Sequence, residues 1–442
     1  LGAVLFAGAG PAALQTAVLM AKAGCERIGF ANRSGSRNDF LRDKLNDAGA
    51  SITVTVHQQK HAALAGTAKV DCFIDGYAQV ADEWDTLFFC TPCEAYLDIV
   101  RELNINALLR VKTIVLLSPG LGSAMLVQSQ LDPHSRGRIE VISCSTYFAA
   151  TKPDNPNGSN PWTAATKAVK RRIYIGSSRR NCPGAESIRQ LLQSSGIDCR
   201  LVNRPLDAEA RSITLYVHAP LFINDFSLDV VFGVTETKKY LYKLYPEGPI
   251  TPQAIETMVD LWKEISELLR KLGAEPINLL QFLNDDNYPV HETSLSRSDV
   301  EGFPHFEATR QHYLLYIRYA SLQIDPFSIP DSEGRYYDFS AVPFSKAVRA
   351  GDGKWVIPRI PYEDYRKLKI VEALAFLLGV NTPAMTRLLE LFESRLAASI
   401  VQHGEVHVDA GLLEDRKRAS MEAEAVMSEL SREQSEGLKA ST

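Results

Sequence analysis

Over the first half of the chain, short unbroken apolar runs alternate with longer Ala- and Leu-rich stretches. "AVLFAG" (3–8) has no polar position, as expected of a strand covered on both faces. "AALQTAVLMAKA" (12–23) is rich in helix formers and predicts a helix directly behind it. "RIGFAN" (27–32) predicts a second strand, and "ITVTV" (52–56), "TLFFCT" (86–91), "TIVLLS" (113–118), "EVISCSTYF" (140–148) and "RRIYIGS" (171–177) continue the series. Helical patterns such as "EAYLDIVREL" (94–103) fall between several of them. Alternation of this kind predicts a mostly parallel sheet with helices on both faces.

The period changes near residue 205. "TPQAIETMVDLWKEISELLRKLG" (251–273) carries Pro at its first turn and Gly at its end, the expected start and stop of a helix. "YEDYRKLKIVEALAFLLG" (362–379) and "TPAMTRLLELFESRLAASIVQHG" (382–404) read the same way. "KPDNPNGSNPW" (152–162) is turn chemistry and predicts a loop, a candidate lid. The expected organisation is an α/β Rossmann-like domain over 1–204, a mainly α-helical catalytic domain over 205–413, and a charged C-terminal helix or tail over 414–442.

Composition narrows the function classes. The chain has 442 residues, 45% hydrophobic and 23% charged, with a formal net charge of −5. That balance gives no basic field for nucleic acid, and no apolar run reaches the ~20 residues of a membrane helix. "LGAVLFAG" lacks a basic leader and reads as a strand, not a signal segment. Seven cysteines in a long chain fit reduced thiols in a cytoplasmic protein. Cys90-Thr91-Pro92-Cys93 has no second ligand pair for a metal, and reads as a strand-end turn in preference to a redox dithiol.

Gly8-Ala9-Gly10-Pro11-Ala12-Ala13 is a G-x-G-x-x-A pattern between a strand and a helix. Gly8 allows the tight turn, Gly10 lets a pyrophosphate approach, and Ala13 lets the helix pack closely. The helix start offers free N–H groups to phosphate. About 20 residues further on, NAD-binding proteins place an acid on the ribose 2′-hydroxyl. Here stand Asn32, Arg33, Ser34 and Arg37, which would accept a 2′-phosphate instead. The expectation is NADPH/NADP+, with Lys44 a weaker contact. Thr91 and Pro92 end another strand, where the nicotinamide would lie. "LLSPGLGSA" (116–124) is a second Gly-rich strand end on the same edge.

Of nine histidines, His218 in "TLYVHAPLFINDF" is set among apolar neighbours, with Asn224 and Asp225 close behind. A partly buried imidazole can exchange the proton that hydride transfer to C=N or C=O requires; a core histidine fits the same spacing. "FLNDDNYPVHET" (282–293) gathers Asp285, Asp286, Tyr288 and His291, and reads first as a turn and cap; the spacing matches no standard metal site.

A dinucleotide motif followed by a helical region with His218-Ala219-Pro220…Asn224 resembles the opine dehydrogenases, although they carry His and Pro adjacent. "STYFAATK" (145–152), "TKAVKRRIYIGSSR" (166–179), "YVHAP" (216–220), "YKLYPEGPITP" (242–252) and "FLNDDNYPVHET" are similar to the opine metallophore dehydrogenases, over nearly all the chain except its tail. The resemblance implies reductive condensation of a nicotianamine-like, histidine-derived amine with pyruvate or 2-oxoglutarate. It makes His218 the proton donor or relay, with Asp225 or Asn224 orienting it or the substrate. It places Tyr147 and Ala150 at the oxo-acid site, assigns no metal to the protein itself, and implies a homodimer. The alternatives are an NADPH-dependent reductase of a small oxo acid and a non-catalytic NADPH sensor.

Overall fold

The computed structural model describes residues 2–154, 160–235, 237–322, 340–349, 355–403 and 411–439. It divides into two compact units, Leu1–Arg211 with Ser428–Thr442, and Ser212–Met427. Residues 155–159 of the candidate lid lie outside the described residues.

The first unit holds strands β1 (Ala3–Ala7), β2 (Arg27–Asn32), β3 (Ser51–Val56), β4 (Gly66–Lys69), β5 (Cys72–Asp75), β6 (Thr86–Phe89), β7 (Thr113–Leu116), β8 (Glu140–Cys144), β9 (Ala149–Pro153), β10 (Thr163–Val169), β11 (Arg172–Ser177) and β12 (Asp198–Val202). Eight of them form one sheet in the order β12-β11-β8-β7-β6-β1-β2-β5, parallel throughout except between β8 and β11. This is the Rossmann-like sheet expected. Alternate residues of β1 feed two cores: Val4 and Phe6 enter one, Ala3, Leu5 and Ala7 the other. Phe6 stands opposite Phe30 and Phe88 in register, and its ring stacks on each at 5.2 Å. Burying each of these rings contributes roughly 2–3 kcal/mol.

"ITVTV" does not join that sheet. As β3 it lies in a second, four-stranded sheet, β4-β3-β10-β9, packed on helix Pro11–Lys22. Ile52 and Val54 are buried while Thr55 is exposed. That alternation marks a strand covered on one face only.

The second unit is mainly helical: Ile213–Phe222, Asp225–Val231, Pro252–Lys271, Ala308–Ser321, Arg359–Leu377 and Pro383–His403 are its main helices. Thr251 caps the long helix Pro252–Lys271 by accepting from Ala254 N at 3.0 Å. Its Ile255, Met258, Val259, Trp262, Ile265 and Leu269 form the buried stripe.

The division between units falls after Arg211, not after 204, because helix Pro205–Glu209 packs on β8 and β11. The tail winds as helix Gly411–Lys439. Its last part belongs to the first unit, where Glu429 pairs with Arg136.

Candidate active site

The turn after β1 is built for a close approach. Gly8 has φ of +102°, and a Cβ there would stand 3.0 Å from Thr91 Cγ2. A Cβ on Gly10 would meet nothing within 4 Å, so the space over it is open to a ligand. Gly10 is the extended N-cap of helix Pro11–Lys22, and no side chain caps that helix. Pro11 has no N–H and Ala13 N donates to the Gly10 carbonyl at 2.9 Å, so Ala12 carries the N–H at this helix start that no side chain claims. Pro11 fits the first helical position, Ala12 is half-buried, and Ala13 is fully buried against the core.

β2 ends on Asn32, not on an acid. Asn32 donates to Asn38 Oδ1 at 3.1 Å, and Asn38 in turn donates to the Arg33 carbonyl at 2.9 Å and to Asp75. Asn32 and buried Asn38 thus hold the shape of this turn. Asp75, opposite Asn32 in register, is taken up by Asn38 and lies 3.8 Å from Arg42. Arg33, Ser34 and Arg37 are exposed, and neither arginine forms an ion pair among the described residues. Lys44 is paired with Asp47 at 2.8 Å.

Thr91 Oγ1 is buried without a hydrogen-bond partner beside the Gly8 turn. An unsatisfied buried hydroxyl costs about 1–3 kcal/mol, so a polar ligand atom here would recover it; Pro92 beside it is exposed. Open space over Gly10, the uncapped helix start and this hydroxyl all fit a dinucleotide. Neither Cys90 nor Cys93 is in a disulfide, and burial pushes the Cys90 thiol well above its ordinary range. That fits the strand-end turn. The second Gly-rich strand end is already filled: Glu209 accepts from Gly122 N at 2.7 Å, Ala124 N at 2.8 Å and Ser143 Oγ at 2.7 Å.

In the second unit, His218 sits on Ile213–Phe222 with its side chain 16% exposed. Its Nδ1 lies 2.9 Å from Oδ1 of Asp364, which is 5% exposed. Nδ1–H donation to that carboxylate leaves Nε2 as the nitrogen available for proton exchange. Phe222 packs edge-on to the imidazole at 4.9 Å. Asp364 Oδ2 is buried without a partner. Beside it, burial would raise the Glu363 carboxyl, but Lys367 and Arg359 outweigh that and hold it below its usual value.

The carboxylate on His218 is therefore not Asp225. Asp225 is exposed and pairs with Arg395 at 2.7 Å. Asn224 does not touch the imidazole in this arrangement either. It caps Asp225–Val231 by accepting from Ser227 N at 2.9 Å, and donates to the carbonyls of Pro220 and Leu221 at 2.9 and 3.0 Å. The acid nearest His218 in sequence is not the one within hydrogen-bond distance of its ring. The available signal was Asp364 itself, an acid on the buried stripe of Pro361, Tyr365, Leu368 and Val371.

Several residues of the 282–293 cluster are engaged within the fold. Phe282–Asn287 winds as a π-helix, Asp285 pairs with Arg297 at 2.8 Å, and exposed His291 bonds Thr293. Fully buried Arg318 donates to the carbonyls of Leu283 and Tyr288 at 2.7 and 3.2 Å. Tyr147 bonds Thr151 in the first unit, and Ala150 is exposed on β9.

A Rossmann-like sheet with a phosphate-ready glycine turn, joined to a helical unit with a His–Asp pair, defines a nicotinamide-dependent oxidoreductase of the opine dehydrogenase class, acting on a CH–NH bond. The chain belongs to the staphylopine dehydrogenase family, whose model matches residues 2–430. It is 44% identical over 400 residues to the pseudopaline synthase of Pseudomonas aeruginosa, covering 90% of this chain and 91% of that one. It is 36% identical to the yersinopine synthase of Yersinia pestis, covering 93% and 95%. The solved NADP+-bound yersinopine dehydrogenase superposes with a TM-score of 0.88 at 34% identity, covering 97% and 99%. Among the described residues, no helix is long and apolar enough to cross a membrane.

Proposed function

We propose that this chain uses NADPH to condense a nicotianamine-like, histidine-derived amine reductively with a 2-oxo acid, forming an opine metallophore. The observation that carries the chemistry is the His218–Asp364 pair, with Nδ1 held at 2.9 Å and Nε2 left for the substrate. Amine and oxo acid lose water to give an imine, which accepts a hydride at carbon and a proton at nitrogen. NADPH supplies the hydride when bound. His218 holds and delivers the proton at Nε2, and Asp364 fixes the ring and balances its charge as an imidazolium. Gly8, Gly10 and Ala13 shape the pyrophosphate turn, Thr91 and Pro92 border the nicotinamide, and Arg33, Ser34 and Arg37 take the 2′-phosphate.

Ala150 is small and exposed, so a second carboxylate meets neither bulk nor charge there. That favours 2-oxoglutarate on space, and pyruvate fits the same room. The working assembly in this reading is a homodimer, which sedimentation checks directly. The main test is NADPH oxidation with nicotianamine and each oxo acid in turn. Oxidation that needs both substrates is expected. Oxidation with an oxo acid alone would instead indicate an oxo-acid reductase, and binding of NADPH without any turnover would indicate a sensor.

A further inference from the structure

Strands β1 and β2 run parallel and end together: Ala7 stands opposite Ala31, and Gly8 N donates to the Ala31 carbonyl at 2.8 Å. The glycine turn and the loop after β2 are therefore neighbours on one edge of the sheet. A pyrophosphate over Gly10 brings its ribose toward that loop. Arg33 of the loop is exposed and forms no ion pair among the described residues, although an acid is near it. Asp75 ends β5 and stands opposite Asn32, one residue before Arg33.

Asn38 is fully buried on helix Arg37–Asp47. Its Nδ2 donates to the Arg33 carbonyl at 2.9 Å and to Asp75 Oδ1, and its Oδ1 accepts from Asn32 Nδ2 at 3.1 Å. A carbonyl and a carboxylate only accept, so the orientation of the amide is settled and both its N–H groups are spent. One amide thus does two things. It draws the Arg33 carbonyl inward and fixes the peptide from which the guanidinium projects. It also engages Asp75, whose Oδ2 lies 3.8 Å from Arg42, so that carboxylate is turned to partners other than Arg33. On the other side of the same residue, the Arg33 backbone N–H bonds the phenol of buried Tyr77, in the turn after β5.

We infer that Asn38 is a positioning residue for cofactor choice: by clamping the Arg33 carbonyl and occupying Asp75, it presents a fixed, unpaired guanidinium to the 2′-phosphate of NADP(H). A guanidinium already paired with a carboxylate would have to give up that pair to take a phosphate, and a loose loop would lose entropy on binding. NAD(H) carries a hydroxyl at that position and gains nothing from the clamp. The inference rests on the assignment of Arg33 to the 2′-phosphate proposed above.

Equilibrium titrations of the full chain with NADP+ and with NAD+ test this. Asn38→Ala is expected to weaken NADP+ about tenfold and to leave NAD+ within about twofold. In an Arg33→Ala background the same substitution should cost NADP+ less than about twofold, because its effect passes through Arg33. Tyr77→Phe removes one oxygen from the opposite side of the clamped residue. It should weaken NADP+ about threefold with the same dependence on Arg33, and it carries the test if Asn38→Ala does not fold. Equal losses for the two cofactors, no loss on NADP+, or a loss that persists without Arg33 overturns the inference. Arg33→Ala alone separates the two claims. Equal losses there sink the 2′-phosphate assignment, whereas a selective loss there with an unselective one in Asn38→Ala sinks only the clamp.

Discussion

Glu209 links the pH dependence of folding to a single buried carboxyl. It is 1% exposed and accepts three hydrogen bonds, from Gly122 N, Ala124 N and Ser143 Oγ. Burial nevertheless dominates, and lifts the carboxyl from 4.5 to about 7 against the pull of those donors. A carboxyl raised on folding binds more protons in the native state than in the unfolded one. Its stabilising effect is complete below the unfolded value and is lost as pH rises through the native value. Linkage makes the loss between pH 5 and pH 8 roughly 2–3 kcal/mol. Glu209→Gln removes the titration. Its amide oxygen can still accept from Ala124 N and Ser143 Oγ, while its NH2 opposes the Gly122 N–H, a pH-independent cost of about 1 kcal/mol. Urea unfolding of both proteins across this range gives the difference in stability at each pH. The wild type should lose roughly 2–3 kcal/mol relative to the variant on going from pH 5 to pH 8. A difference that stays flat would refute the assignment, since every other titrating group is shared.

Asp364→Asn keeps the size of the buried partner but removes the charge that balances His218; turnover should fall roughly 10- to 100-fold with NADPH affinity unchanged, as expected for a charge-assisted bond. Turnover within about twofold of wild type would remove Asp364 from the mechanism. Arg33→Ala should weaken NADPH about tenfold or more and leave NADH nearly unaffected; equal losses for the two cofactors would reject the 2′-phosphate assignment. Thr91→Val replaces an orphaned buried hydroxyl with a methyl group. The ligand-free protein should gain about 1 kcal/mol in stability while cofactor affinity falls. A destabilised protein that binds cofactor normally would show that the hydroxyl is satisfied within the fold.

The parts of this molecule legible in the sequence are those set by neighbours along the chain. Gly8, Gly10 and Ala13 lie within one turn, so their spacing alone specifies a strand, a close approach and a helix. The end of β2 shows the lack of an acid directly. The alternation in "ITVTV" was also a usable signal, because a strand buried on one face belongs at the cover and not in the centre of a doubly covered sheet. Pairings between distant residues were not legible. His218 meets Asp364 across 146 positions, and Thr166 meets Gln15 across 151. Periodicity tells which face of a helix is buried, but not which buried polar groups find one another. It does show where to look: Asp364 sits on an apolar stripe, Gln15 within a wholly buried helical run, and Glu209 in a short helix against the sheet. A polar side chain on a buried face must have a partner or be strained. Such residues are therefore better guides to a site than adjacency, which singled out the exposed Asp225. The acid that matters to His218 is the one whose burial would be too costly without it.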